Sequence, residues 1–243
     1  MPRFFVPGLT PADRFLVLEG ENAAHARVLR LRNGEEVTVC DGAGTDYRCT
    51  VSDVSKDRIS LVIQSADPAG TEPRVQATVY LGYPKADKLE HVIQKAVELG
   101  AAQIVAFPCE RCVSRPDEKS LPKKLDRWQK IAASAAEQSR RGRIPTVRTL
   151  PSYAAALEEA AQADLPVLFY ENEHARTFRA ALEEQPFATA ALVTGPEGGF
   201  SEEEVARAEA VGLKICTLGS RILRCETAPL CALSALMYAA GEF

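Results

Sequence analysis

From residue 74 onward, short apolar runs alternate with stretches of helical periodicity, and this alternation is what most restricts the fold. A strand is expected over 75–81. Leu89, Val92, Ile93, Ala96 and Val97 then recur at helical spacing in a helix over 85–99, closed by Gly100. A strand over 104–107 precedes a long helix with Pro122 in its first turn and Leu125, Trp128, Ile131, Ala132 and Ala135 on one face. Helix 153–162, strand 166–170, helix 174–184, strand 190–194, helix 202–211 and strand 214–218 repeat the theme. Ser201 and Glu204 have capping-box spacing. A last helix over 227–240, apolar nearly all round, reads as buried. Such alternation implies an α/β fold with a mainly parallel sheet covered on both faces.

Residues 1–72 differ. Alternating, β-branched runs at 36–40, 47–51 and 58–63, with the turn signal Asp41-Gly42-Ala43-Gly44, describe a small β domain. Asp67-Pro68-Ala69-Gly70-Thr71-Glu72-Pro73 reads as a linker, so two domains are expected, 1–72 and 73–243. The net charge of −4 conceals segregation: residues 74–150 carry 15 basic and 8 acidic side chains between acidic flanks. A basic middle can present a phosphate-binding face, or be a solvated helix surface. No apolar run approaches the roughly 18 residues of a membrane span. The start is too short and proline-broken for a signal peptide, and seven cysteines in a chain of this size suit a reducing compartment, so a cytoplasmic location is expected.

Chemistry concentrates near the C-terminus. Leu192-Val193-Thr194-Gly195-Pro196-Glu197-Gly198-Gly199-Phe200-Ser201 and Leu218-Gly219-Ser220-Arg221-Ile222-Leu223-Arg224-Cys225-Glu226-Thr227-Ala228 each follow an apolar strand and open a helix. Glycine there lets backbone approach a flat or charged ligand. Neither loop is a P-loop or a dinucleotide fingerprint. Charged residues at the carboxyl end of a parallel sheet stand where open α/β folds bind ligands. Cys109-Glu110-Arg111-Cys112 is a C-x-x-C without a second knuckle for zinc, and it follows a strand rather than opening a helix, so neither a metal nor a thioredoxin-like role is expected. His25, His91 and His174 are scattered without a nucleophile partner.

The two loops in this order resemble the knotted SPOUT superfamily of RNA methyltransferases. Within it the chain is similar to the RsmE family, which methylates N3 of a uridine in small-subunit ribosomal RNA. The resemblance extends to His25–Gly34 and Asp41-Gly42, Lys85–Glu90, Gln94–Gly100, Glu110-Arg111 and Ala136–Arg141. Position 225 is Cys where the family more often has Thr. The resemblance implies a PUA-like RNA-binding β-barrel at the N-terminus, and a C-terminal domain with a trefoil knot, an exception to the rule against threaded chains. It also implies S-adenosylmethionine (AdoMet) as cofactor, 16S ribosomal RNA of the small subunit as substrate, and a homodimer.

Tyr170, Thr194, Gly195, Glu197, Gly198, Gly199, Leu218, Gly219, Ile222 and Leu223 are the residues expected around AdoMet. Arg224 is expected to stabilise charge on the uracil, and Glu197 or Glu226 to take the N3 proton or orient Arg224; for Glu226 a structural ion pair is the plainer alternative. Arg30, Arg32, Lys85, Lys88, Arg111, Arg140 and Arg141 are candidate RNA contacts, with helix-dipole compensation the plainer reading of Arg140 and Arg141. Rival readings are another SPOUT enzyme, acting on ribose 2′-oxygen or transfer RNA, and a non-catalytic RNA-binding assembly factor.

Overall fold

Alternating β-branched residues with one apolar face can form a half-buried sheet, and the N-terminal part does so. In the computed structural model, which describes residues 1–243, the chain divides into two compact units, residues 1–72 with 136–144 and residues 73–135 with 145–243. The first contains β1 (Arg3–Phe5), β2 (Phe15–Leu18), α1 (Gly20–Val28), β3 (Glu36–Cys40), β4 (Thr45–Val54) and β5 (Ile59–Pro68). Its strand order is β1-β3-β4-β5-β2, antiparallel except for the parallel β1–β3 pair. Register shifts at Arg48/Cys49 and Val51/Asp53 bend the long β4–β5 ribbon. Phe4, Leu18, Val37, Val39, Tyr47, Ile59 and Leu61 fill its core.

The barrel that the resemblance implies takes the form of a curled half-barrel, because β1 and β2 are edges of three and four residues that do not pair with each other. The basic run 25–34 divides between the end of α1 and a turn in which Arg30 takes a positive φ of 56°.

One departure concerns residues 136–144, which sequence assigned to the C-terminal domain. They pack with the first unit because Glu72 gathers them. Its carboxylate accepts hydrogen bonds from Arg141 Nη2 (2.6 Å), Gly142 N (2.8 Å) and Arg143 N (3.1 Å). Arg141 is only 4% exposed. Gly142 passes so close to the linker that a Cβ would lie 2.1 Å from Ala69 Cβ, and Cys40 Sγ donates to its carbonyl at 2.9 Å.

The second unit continues with β6 (Gln76–Gly82), α2 (Lys88–Glu98), β7 (Gln103–Phe107), α3 (Leu121–Gln138, whose last turn belongs to the first unit), β8 (Thr146–Thr149), α4 (Tyr153–Ala160), β9 (Leu165–Phe169), α5 (Phe178–Glu183), β10 (Thr189–Thr194), α6 (Glu202–Ala210), β11 (Lys214–Cys216) and α7 (Ala228–Ala239). All six strands are parallel, in the order β11-β9-β10-β6-β7-β8. From β6 the chain builds outward through β7 and β8, then crosses to the other side of β6 for β9, β10 and β11. That reversal leaves a crevice at the strands' carboxyl ends.

Helix starts follow local chemistry. The Ser201–Glu204 capping box forms in both directions. The second helix begins at Lys88 rather than 85, because Ala86 has a positive φ of 55°. Strand β8 was missed because it is a four-residue edge, TVRT, with no apolar alternation. The last helix buries Leu233, Leu236 and Met237 but leaves Tyr238 76% exposed, so one face, not its whole surface, is covered.

Burial alone would raise the Glu72 carboxyl pKa, but the Arg141 guanidinium and the Arg143 and Gly142 N–H groups outweigh it and hold it below the carboxylate range. Replacing Arg141 by Ala should therefore destabilise the protein by about 3 kcal/mol in denaturant titration, since it strands a mostly buried carboxylate. Because the folded pKa lies below the unfolded value of about 4.3, the stabilisation is complete above that pH and is lost as pH falls through the folded value. Glu72→Gln should remove that part of the acid dependence.

Candidate functional site

The crevice is lined by three loops, each leaving the carboxyl end of a parallel strand. After β10, Gly195-Pro196-Glu197-Gly198-Gly199 turns sharply, with Gly199 N–H donating to the Pro196 carbonyl at 3.0 Å. Gly199 has φ +64°, and a Cβ there would meet the Glu171 carboxylate at 2.4 Å. Beneath the loop, β6 ends in Gly82, where a Cβ would lie 2.7 Å from Pro196 Cδ; strand and loop touch backbone to ring. After β11, the second loop runs from Thr217 to Thr227. Gly219 N–H donates to Thr217 Oγ1 (3.1 Å), and Gly219 has φ +111° with open space where a Cβ would stand. The Arg224 carbonyl accepts from Thr227 N and Ala228 N, which starts α7. Tyr170 and Glu171, after β9, form the third wall.

These loops enclose a cavity of ≈ 590 Å³. Every residue expected around the cofactor lines it: Tyr170, Thr194, Gly195, Glu197, Gly198, Gly199, Leu218, Gly219, Ile222 and Leu223. Arg224 and Cys225 line it too, whereas Glu226 stands just outside the lining. Arg221, one of the charged residues of the second loop, lines the cavity as well; sequence reasoning missed Glu171 and His174. Position at a strand's carboxyl end was the available signal for Glu171, which follows Tyr170 directly. The volume, the backbone-rich walls and the space at Gly219 fit a nucleoside-sized group such as AdoMet.

One lysine ties the loops together. Lys88 Nζ lies 3.1 Å from Glu197 Oε1 and 3.1 Å from Glu226 Oε2. Glu197 Oε1 also accepts from Lys85 N–H at 3.0 Å. The Lys88 ammonium is held above its usual range by its bonds to Glu197 and then Glu226. Both carboxyls lie below theirs. For Glu197, partial burial works upward and is overcome by the Lys85 N–H, its own N–H and Lys88; for Glu226, its own N–H leads, with the Cys225 thiol and Lys88 adding to it. Cys225 Sγ donates to Glu226 Oε2 at 3.2 Å, and burial, with that hydrogen bond, pushes the thiol up to about 12. It stays protonated and supplies the donor that a hydroxyl would supply.

Arg224 is exposed and its guanidinium has no hydrogen-bond or ion-pair partner. The expected RNA contacts separate. Arg30, Arg32 and Arg140 are exposed on the first unit, and Lys85 and Arg111 on the second. Arg111 also braces the glycine loop, Nη1 donating to the Gly198 carbonyl at 2.9 Å. Lys88 belongs to the carboxylate clamp. Arg141 is a correction: buried against Glu72, it has no face for RNA.

Comparison with known proteins gives this geometry a lineage. A family model described as an RNA methyltransferase domain matches residues 71–237, and one described as an RNA methyltransferase PUA domain matches residues 18–64. The chain is 37% identical to ribosomal RNA small subunit methyltransferase E of Bacillus subtilis over 91% of its length and 89% of that protein's. It is 32% identical to the Mycobacterium bovis protein of the same name, over 96% and 90%. Among solved structures, ribosomal RNA small subunit methyltransferase E from Neisseria gonorrhoeae, crystallised with S-adenosylmethionine, superposes with a TM-score of 0.85 at 32% identity, covering 98% of this chain and 97% of that one. A putative methyltransferase from Legionella pneumophila, solved with its bound cofactor, gives 0.86 at 31% identity over 98% and 97%. With both of its regions matched by RNA methyltransferase models and its full-length relatives sharing one name, the chain belongs to the ribosomal RNA small subunit methyltransferase E family.

Proposed function

We propose that the protein transfers a methyl group from AdoMet to N3 of a uridine in 16S ribosomal RNA of the small subunit. The observation that carries this reading is the cavity at the sheet's reversal, walled by glycine backbone and opening on an unpaired arginine, in a chain of this family. AdoMet, when bound, supplies a methyl group already activated by its sulfonium. Tyr170, Thr194, Gly195, Gly198, Gly199, Leu218, Gly219, Ile222 and Leu223 would hold it.

The remaining task for the protein is to present the nucleophile in line and to favour the anionic uracil. Uracil N3 is protonated at neutral pH, and loss of that proton places negative charge on the flanking carbonyl oxygens. Arg224, with no internal partner, is the group to meet that charge. Glu197 and Glu226, lowered by their donors and by Lys88, are weak proton acceptors. Their part is to fix Lys88 between the two loops and so hold Arg224, two residues before Glu226, at the cavity mouth. Arg30, Arg32, Lys85, Arg111 and Arg140 remain as phosphate contacts, which makes RNA binding salt-dependent.

The exposed face of α7, which carries Tyr238 and Cys231, supports the homodimer. The trefoil knot belongs to this reading as well: α7 leaves directly from the cavity's second loop. No helix is long and apolar enough to cross a membrane, and a cytoplasmic site of action beside the ribosome goes with the proposed substrate.

Small ribosomal subunits lacking the modification, incubated with the protein and AdoMet, should yield N3-methyluridine on nucleoside mass spectrometry. A different methylated nucleoside would overturn the base assignment. Arg224→Ala should lower kcat about a hundredfold or more while AdoMet affinity in calorimetry stays within about twofold. Gly198→Val should weaken AdoMet at least about tenfold, because a Cβ at 198 would already lie 2.9 Å from Arg111 Cβ. Lys88→Met should raise the pKa values of Glu197 and Glu226, read by NMR titration of the two side-chain carboxyls; Lys88→Arg should restore them in part.

A further inference from the structure

Cys109-Glu110-Arg111-Cys112 closes a tight turn directly after β7, and its two thiols have no part in the chemistry above. Cys112 N–H donates to the Cys109 carbonyl at 3.2 Å, Cys109 N–H donates to Cys112 Sγ at 3.3 Å, and the two sulfurs stand 3.3 Å apart. A β-turn brings the α-carbons of its end residues within about 7 Å, and a disulfide spans about 4.4–6.8 Å, so closure needs local adjustment rather than rebuilding. The neighbourhood offers no metal alternative, since no group of three or more His, Cys, Asp or Glu side chains comes together. Cys112 is half-buried and Cys109 buried.

The two thiols are also made unequal. The hydrogen bond from the Cys109 thiol, the Cys109 N–H and the Arg115 charge lower the Cys112 pKa against the effect of burial. The same thiol–thiol bond and burial raise that of Cys109. Cys112 is thus the more accessible sulfur and the better thiolate, with Cys109 behind it.

The turn is bonded at one point to the cavity's first loop and at two to the start of α6. Arg111 Nη1 donates to the Gly198 carbonyl (2.9 Å), Ser201 Oγ donates to Glu110 Oε2 (2.8 Å), and Glu110 N–H donates to Glu204 Oε1 (2.8 Å). A movement of the turn therefore reaches the glycine loop and the first turn of α6 together.

We propose that the Cys109–Cys112 pair is a modification site for low-molecular-weight disulfides, and that its closure alters the hold on the Gly198 loop and with it the affinity of the cavity. The Cys112 thiolate attacks one sulfur of the small disulfide, forming a mixed disulfide and releasing one thiolate. Cys109 loses its proton and attacks the Cys112 sulfur, forming the internal bond and releasing the second. Two protein thiols are oxidised, the small disulfide is reduced to two thiols, and the two protons pass to the released thiolates. The sulfurs must approach from 3.3 Å to about 2.05 Å, and Arg111 lies between them in sequence. Closure goes beyond methyl transfer and does not depend on it, while the effect on affinity rests on the cavity's taking AdoMet.

The test exposes the native protein to graded mixtures of reduced and oxidised glutathione, traps free thiols by alkylation, and digests with trypsin. Cleavage after Arg111 makes the internal disulfide visible as a linked pair of peptides. That pair should accumulate as the oxidised fraction rises; glutathione adducts alone, or alkylated Cys109 and Cys112 throughout, would overturn the site. AdoMet titrations of both forms should then show affinity falling by about threefold or more on oxidation. Reduction should restore it, and Cys112→Ser should abolish the response. Equal affinity in the two forms would overturn the coupling. Failure of the fully reduced protein to bind AdoMet would count against the cofactor reading, and the linked-peptide result would still decide the site.

Discussion

Six parallel strands that end side by side oblige their loops to share one edge, and the cavity of this chain follows from that constraint. A parallel sheet must be covered on both faces, so each strand is followed by a crossover, and only the carboxyl ends remain open to a ligand. Because the order reverses at β6, the loops after β9, β10 and β11 are not simply stacked but gather around a gap. The backbone at that gap is crowded from below. A Cβ at Gly82 would lie 2.7 Å from Pro196 and one at Gly198 2.9 Å from Arg111, which leaves no room for a side chain, and Gly195 faces the backbone of Gly199 at 3.0 Å. Tight contact beneath the loop and open space beside Gly219 are two aspects of the same arrangement.

Charge is used sparingly within that frame. Three ionised groups, Lys88, Glu197 and Glu226, neutralise one another in part between the two glycine loops, leaving Arg224 as a cation without an internal counterpart. A charge already satisfied contributes to shape, whereas one left unsatisfied is available to a substrate. The basic excess of residues 74–150 has to be read the same way. Arg141 is paired with Glu72, Arg127 with Glu90, Lys95 with Glu98 and Arg148 with Glu159, so part of the basic content is structural, while exposed Lys85, Lys119, Lys123, Lys124 and Arg140 have no ion-pair partner.

The sequence made the C-terminal architecture legible because strands of five to seven residues, buried on both faces, leave unmistakable apolar runs, and glycine loops leave a signature of composition. All ten positions expected around the cofactor line the cavity for that reason. What it obscured was everything governed by partners remote in the chain. Lys88 and Arg141 look alike as surface cations, and only the carboxylates of Glu197, Glu226 and Glu72 distinguish them from Arg30 or Arg140. The edge strands β1, β2 and β8 are too short to establish a period. Closure of the β domain could not be judged from alternation, which describes faces and says nothing about whether edges meet.

The return of residues 136–144 to the first unit has a consequence for how such a chain can be divided. Composition marks Asp67–Pro73 as the natural place to cut, yet a fragment ending at residue 72 would retain the Glu72 carboxylate and lose Arg141, Gly142 and Arg143, the donors that satisfy it. The complementary fragment would carry Arg141, three residues past the end of its longest helix, without the carboxylate it is buried against. The first unit is discontinuous in sequence, so its completion waits on synthesis of β6, α2, β7 and α3 of the second.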